Sequence, residues 1–286
     1  MTESRWFWVL PLLAFALLAR LPAYAAASGG AVVLKQGEAT LITVDLPHVS
    51  GDLEGQLDGR KFPFFAIDGT GRYGGLVAAD MALKPSRYEL VVRSLSGREQ
   101  RRLLVRVVAA KFGTERLELP EDKVELDSET LVRVEREQEA MLAALAPVGA
   151  SRLWAGAFVQ PVDGRVRGSF GQTRVINGKP RSPHSGEDIS APKGTPVLAA
   201  NAGQVVVSSE MFFSGKSVVI DHGQGIYTMY FHLDEVDVQA GYRVEKGARI
   251  GAVGSTGRAT GPHLHWGARV SGARVNPFSI LSLQLP

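Results

Sequence analysis

From residue 156 to residue 286 the chain breaks into short β-branched runs parted by glycines and turn dipeptides, which leaves little room for helix. The runs fall at 196–200, 204–208, 217–221, 227–232, 249–253 and 263–270. Asp221-His222-Gly223, Glu245-Lys246-Gly247 and Ser271-Gly272 supply turns between them. The pattern predicts a Gly-rich antiparallel β domain over 156–286. Residues 26–110 also read as β structure. Alternation shows in Ala39-Thr40-Leu41-Ile42-Thr43-Val44 and in Tyr88-Glu89-Leu90-Val91-Val92, with turn signals at Asp58-Gly59, Asp68-Gly69 and Ser96-Gly97. Short strands so spaced predict a small immunoglobulin-like β-sandwich. Between the two parts, 111–155 reads as a connector. Asp127 can cap a helix there, and Leu131, Val134, Gln138, Met141, Leu142 and Leu145 form one stripe at helical spacing. That stripe is expected to pack. The fold class expected is therefore all-β, with a helical connector.

The start of the chain reads as a targeting signal over 1–25. Arg5 precedes an apolar run over 6–19, and Ala23-Tyr24-Ala25 offers a small-x-small cleavage site. The run falls short of the roughly 20 residues a helical span needs, so cleavage is expected over retention as an anchor. No later segment is apolar for long enough to cross a bilayer. Export to the periplasm or cell envelope is the expectation, with release from the cell as the alternative. The chain has no cysteine, which excludes thiolate catalysis and Cys-ligated zinc, and leaves stability to core packing and a metal. Net charge is +3; without Glu3, Arg5 and Arg20 it is +2, too mild for a nucleic-acid footprint.

Five of the six histidines lie beyond residue 156. His184 and Asp188 form H-x-x-x-D, but Pro183, Gly186 and Pro192 forbid a helix, so the segment is a loop running into a short strand. His263-Leu264-His265 is H-x-H; on a strand its two imidazoles share a face. His232 ends another run, with Thr228 and Tyr230 expected on its face and Met229 and Phe231 on the opposite, core-facing side. A hydrolytic zinc site takes three N/O ligands and keeps a fourth position for water, and two His plus one Asp meet that need. The donor set makes zinc the leading metal, with manganese and iron also admitted. Spacing alone does not say which of His263 and His265 would be the ligand.

Together, and in order, these segments carry a resemblance. Ser169-Phe170-Gly171, Pro183-His184-Ser185-Gly186-Glu187-Asp188-Ile189, Ala191-Pro192-Lys193-Gly194-Thr195-Pro196-Val197, Tyr230-Phe231-His232-Leu233, the 251–257 run and Gly261-Pro262-His263-Leu264-His265-Trp266 resemble the LytM-type, or M23, family of peptidoglycan endopeptidases. The likeness spans residues 164–277. It implies a Zn2+ ion held by His184, Asp188 and His265, with His232 and His263 as unligated catalytic histidines. It further implies peptidoglycan as substrate, in its cross-links or stems. The alternative is a non-catalytic LytM-like module that activates another wall hydrolase, but members of that kind typically lack the ligands kept here. The N-terminal part shows no chemistry of its own and is expected to meet a regulatory protein or shield the cleft.

Other residues carry blander expectations. Glu187, adjoining Asp188, is expected to face solvent. His222 reads as a solvated turn histidine and His48 as a solvated loop histidine. Tyr230 is weighed equally between packing and the cleft. Arg174 and Arg181 could meet a substrate carboxylate, although exposure is the default for arginine.

Overall fold

A computed structural model describes residues 25–26, 31–121, 124–149, 151–283 and 285. Residues 1–24 of the expected 1–25 targeting segment lie outside these residues. Among them, no helix is long and apolar enough to cross a membrane.

The N-terminal strands follow one continuous hydrogen-bonded path. Its order is Ala25–Ala26, Ala39–Asp45, Arg72–Ala78, Arg60–Ala66, Leu53–Leu57, Ser86–Ser94, Glu99–Val108 and Val32–Lys35. Alternation places the core: in Glu99–Val108, Leu103, Val105 and Val107 are buried while Leu104 and Arg106 are exposed. Asp58 and Gly59 both take positive φ, 47° and 75°, in the two-residue turn that returns Leu53–Leu57 into Arg60–Ala66.

The larger sheet is built around Leu264–Val270. Gly186–Ser190 pairs with it on one side and Ile226–Val236 on the other, both antiparallel. The path continues through Gly215–Asp221 and Gly203–Met211 to Arg243–Val244. Ile189, Val218, Ile220, Leu264 and Trp266 are fully buried along it. A third, small sheet recruits the connector: Thr114–Leu117 runs parallel to Thr173–Ile176, which pairs antiparallel with Lys179–Arg181.

The connector helix forms over Ser128–Ala144, and Asp127 caps it by accepting from the Thr130 N–H at 2.7 Å. Its apolar stripe packs only toward its C-terminal end, where Met141 and Leu145 meet the sheet. No residue of the helix is buried, and Leu131 and Leu142 remain 47% and 52% exposed. The helix is held at its C-terminal end and one edge instead. Leu145, just past it, joins Val219, Tyr227 and Met229 in a small core, and Glu137 Oε2 accepts from the Phe212 N–H at 2.8 Å. N-terminal to these anchors, Leu131 and Val134 stand off the sheet and wall a cleft.

The two large sheets share one contiguous apolar core. Asp80 ties them together. Arg274 donates to it through Nη2 at 2.7 Å, Nε at 3.1 Å and its backbone N–H at 2.8 Å, and the Ala82 N–H adds a fourth bond at 2.8 Å. Burial opposes the charge of Asp80, yet these donors hold its carboxyl down at about 2. A folded-state value below the ordinary 3.8 gives stability that is present above about pH 4 and lost as pH falls through about 2. Asp80→Ala is expected to cost about 3 kcal/mol at pH 7, because it strands Arg274 at the junction. That lowers the melting temperature by about 6 to 12 °C. Thermal melts of both chains from pH 7 down to pH 2 check this, and the gap should narrow toward the acid end.

Candidate active site

Sheet register brings the site together. Asp188 stands directly opposite His265 in the antiparallel pair, so carboxylate and imidazole share a face. His184 arrives from the loop before that strand, pinned by its N–H to Gln172 O at 2.9 Å and by the Gly171 N–H to His184 O at 2.8 Å. Gly186 lies between them because nothing larger fits. A Cβ there would sit 2.5 Å from His265 Nε2 and 2.7 Å from the Trp266 carbonyl oxygen.

His184 Nε2 lies 2.7 Å from His265 Nδ1 and 3.2 Å from Asp188 Oδ1, and His265 Nδ1 lies 3.1 Å from the same oxygen. All three residues are buried. Three acceptor-competent atoms therefore meet at one point, and a single proton can bridge only one edge of that triangle. Ligands on a tetrahedral zinc at 2.0–2.1 Å are spaced about 3.3 Å apart, close to the spacing here. The group suits a divalent metal ion. Burial opposes the charge of Asp188, but hydrogen bonds from His184 and His265 hold its carboxyl well below the usual range. Burial pushes His265 down to about 4, keeping its ring neutral and able to ligate.

His232 and His263 flank this group, their ring centroids 4.9 Å apart. His263 Nδ1 is 2.7 Å from Gly261 O, and His232 Nδ1 is 2.9 Å from Thr256 O. A carbonyl only accepts, so each Nδ1 carries the proton and each Nε2 is left for chemistry. His263 Nε2 lies 3.8 Å from Asp188 Oδ1. Burial, with His265 and His263 nearby, pushes His232 down to about 3.

The structure reverses the expected faces around His232. Tyr230 is fully buried and hydrogen-bonds to Thr228 at 2.8 Å, while Phe231 lines the cleft and stacks on His265 with centroids 5.4 Å apart and planes 6° apart. The cause is a bulge. Lys216 pairs with Leu233 and Val218 with Tyr230, so Ser217 alone faces both Phe231 and His232. His232 takes φ 65°, a left-handed conformation that turns its ring toward the same side as Phe231.

Two further expectations are corrected. Glu187 does point away from Asp188, but that side is buried too, and Glu187 is only 2% exposed. It accepts from Ser169 N at 2.5 Å, Ser169 Oγ at 3.1 Å and Phe170 N at 3.3 Å, while Ser169 Oγ accepts from the Asp188 N–H at 2.9 Å. This clamp holds the Asp188 strand to the 169–170 turn. His222 is fully buried rather than solvated. Its ring links Ala202 O at 2.8 Å to Thr228 Oγ1 at 2.7 Å, and burial pushes it down to about 4. His48 is exposed, as expected.

Thr256, Ser169 and Phe231 are positioning residues that spacing did not single out. Thr256 holds His232 through its carbonyl, and its Oγ1 donates to Leu233 O at 2.7 Å and accepts from the Lys216 N–H at 2.9 Å. No local signal marks these roles, since each depends on a partner distant in sequence.

The metal-competent group opens onto a cleft of about 740 Å3. Its far wall is the helix stripe, through Leu131, Val134 and Gln138, together with residues 124–126. A side pocket of about 380 Å3 continues along the helix to Met141 and Leu145. Among the described lining residues of the cleft, none comes from the N-terminal sheet.

Comparison with known proteins agrees with this geometry. The model of peptidase family M23 matches residues 182–277. The peptidoglycan DD-endopeptidase ShyA of Vibrio cholerae is 42% identical over 119 residues, covering 41% of this chain and 28% of that protein. The DD-carboxypeptidase/endopeptidase Mpg of Neisseria meningitidis is 46% identical over 97 residues, covering 34% of this chain and 22% of that one. The chain thus spans about a quarter of the length of the curated relatives it matches. A crystal structure from Pseudomonas aeruginosa assigned to peptidase M23 superposes with a TM-score of 0.66 at 31% identity, covering 85% of this chain and 93% of that one.

Proposed function

The chain belongs to peptidase family M23, and from that premise we propose an exported, zinc-dependent endopeptidase that hydrolyses peptide bonds in peptidoglycan cross-links or stems. One observation carries the reading: His184, Asp188 and His265 converge within hydrogen-bond distance, beside two more imidazoles whose Nε2 atoms are free. His184, Asp188 and His265 would hold the ion. When bound, zinc supplies a Lewis acid for the scissile carbonyl and a lowered pKa for water.

The rest is work for the chain's own side chains. With Nδ1–H fixed on Thr256 O and Gly261 O, neither His232 nor His263 carries a proton on Nε2 while its ring is neutral. Acid function must then follow base function. One ring takes a proton from the attacking water at Nε2 and, as imidazolium, returns it to the leaving nitrogen. Phe231 stacks on the face of His265 and helps hold the orientation of that ring.

The wall as substrate is supported by the names of the relatives, and export by the apolar run over 6–19. The test is digestion of purified sacculi by zinc-loaded protein, with mass spectra of the released fragments. New free amines and uncross-linked stems are expected, and a chelator should stop their release. Cleavage of a glycine-rich protein, with no new amine from sacculi, would move the substrate away from the wall.

A further inference from the structure

We propose that Arg258 is a specificity residue that binds a carboxylate on the substrate residue adjoining the scissile bond, so that the cleft selects anionic stem peptides over uncharged ones. This rests on the peptidase reading of the cleft and narrows its substrate class.

Arg258 lies two residues after Thr256, the residue whose carbonyl holds His232, and its own N–H is fixed to Phe213 O at 2.9 Å. Its guanidinium lies over the Phe213 ring at 4.1 Å. Stacking occupies one face of the guanidinium and leaves its edge, with the N–H donors, unoccupied. The side chain borders both the main cleft beside His184 and His265 and the smaller hollow beside Asp188 and His263.

No carboxylate balances it among the described residues. Arg174 pairs with Glu115 at 3.0 Å, and Arg181 reaches Glu125 only at 3.9 Å, where Lys179 already sits at 2.6 Å. Arg258 has no such partner, and the charges acting on it are those of Arg174 and Arg181. Burial, together with these two like charges, pushes its guanidinium down to about 10. A half-buried cation set against two others is a cost to the folded chain unless something anionic arrives. A planar carboxylate matches the open edge bidentately, which a carboxamide cannot do. The two groups differ little in size, so the discrimination would be electrostatic.

The experiment uses the full chain carrying His263→Ala, so that peptides bind without being cut. The probes are two soluble cross-linked stem peptides that differ at one group. The residue giving its amine to the cross-link bears a free α-carboxylate in one and a carboxamide in the other. Calorimetry is expected to show the carboxylate peptide binding about 10- to 100-fold tighter, the range for a hydrogen bond to a charged group. Adding Arg258→Met should erase the difference, and Arg258→Lys should restore part of it through charge without the bidentate fork. Thermal melts and metal content establish that each variant is folded. Equal binding of the two peptides, or a preference that survives Arg258→Met, overturns the assignment. Sacculus digestion by the unsubstituted chain reports separately on the wall as substrate. A carboxylate preference that disappears with Arg258 would stand even if sacculi remained intact.

Discussion

His263→Ala is expected to lower the rate of peptide cleavage by about 10²- to 10⁴-fold, the range for losing a general acid or base, while the chain still binds metal. The reason is where the ring sits. His263 Nε2 lies 3.8 Å from Asp188 Oδ1, outside the triangle formed by His184 Nε2, Asp188 Oδ1 and His265 Nδ1. Its other nitrogen is committed to Gly261 O. Removing the ring takes away an Nε2 that can move a proton and leaves every atom of the triangle in place. Metal analysis of the purified variant, alongside its rate on sacculi, separates the two effects. If the metal goes with the ring, His263 is a ligand and the division within H-x-H is reversed.

Asp188→Asn should do the opposite, removing metal first and activity as a consequence. The amide is nearly isosteric but brings no charge to a buried site. Loss of a supporting partner outside the ligand shell already costs 10- to 100-fold in affinity, so loss of a ligand charge should cost at least about 100-fold. The clearest readout is thermal. Metal at a thousand times its dissociation constant stabilises a folded chain by about 4 kcal/mol, or about 10 °C for a chain of this size. The unsubstituted protein should show that shift between metal-loaded and chelated samples. In Asp188→Asn it should fall to about a third of that or less at the same metal concentration, whereas His263→Ala should keep it. An undiminished shift in Asp188→Asn would remove the carboxylate from the ligand set.

Much of this site was legible before any coordinate. Asp127 before a helical stripe predicted the cap that accepts from Thr130, because capping depends on a side chain and a backbone only three residues away. Asp58-Gly59 predicted its tight turn for the same local reason. The donor inventory, with two His, one Asp and no Cys, pointed to an open hydrolytic metal site from chemistry alone. The assignment within H-x-H was different, and came only from family resemblance. In the structure it corresponds to register, since His265 is the residue paired across from Asp188.

The misreadings share a cause. Each extended a local rule past the point where a distant partner took over. Alternation put Phe231 in the core and Tyr230 on the same face as His232. Period two holds only while each residue faces one partner, and at Ser217 two residues face one. The rule of opposite faces sends Glu187 to solvent because its neighbour Asp188 points inward, but Ser169 and Phe170 cover the other side as well. His222 sits in a turn by composition and in the core by packing. The helix stripe reads as one packing surface, but only its C-terminal part, Met141 and Leu145, reaches the sheet, and Leu131 and Val134 wall a cleft. By itself the sequence determined which groups can bind metal and move protons, and where the chain turns, since donor chemistry and backbone preference belong to single residues and near neighbours. Tertiary structure alone decided which way those groups face and what lies behind them, because direction and burial are set by strand pairing and contacts between residues far apart in the chain.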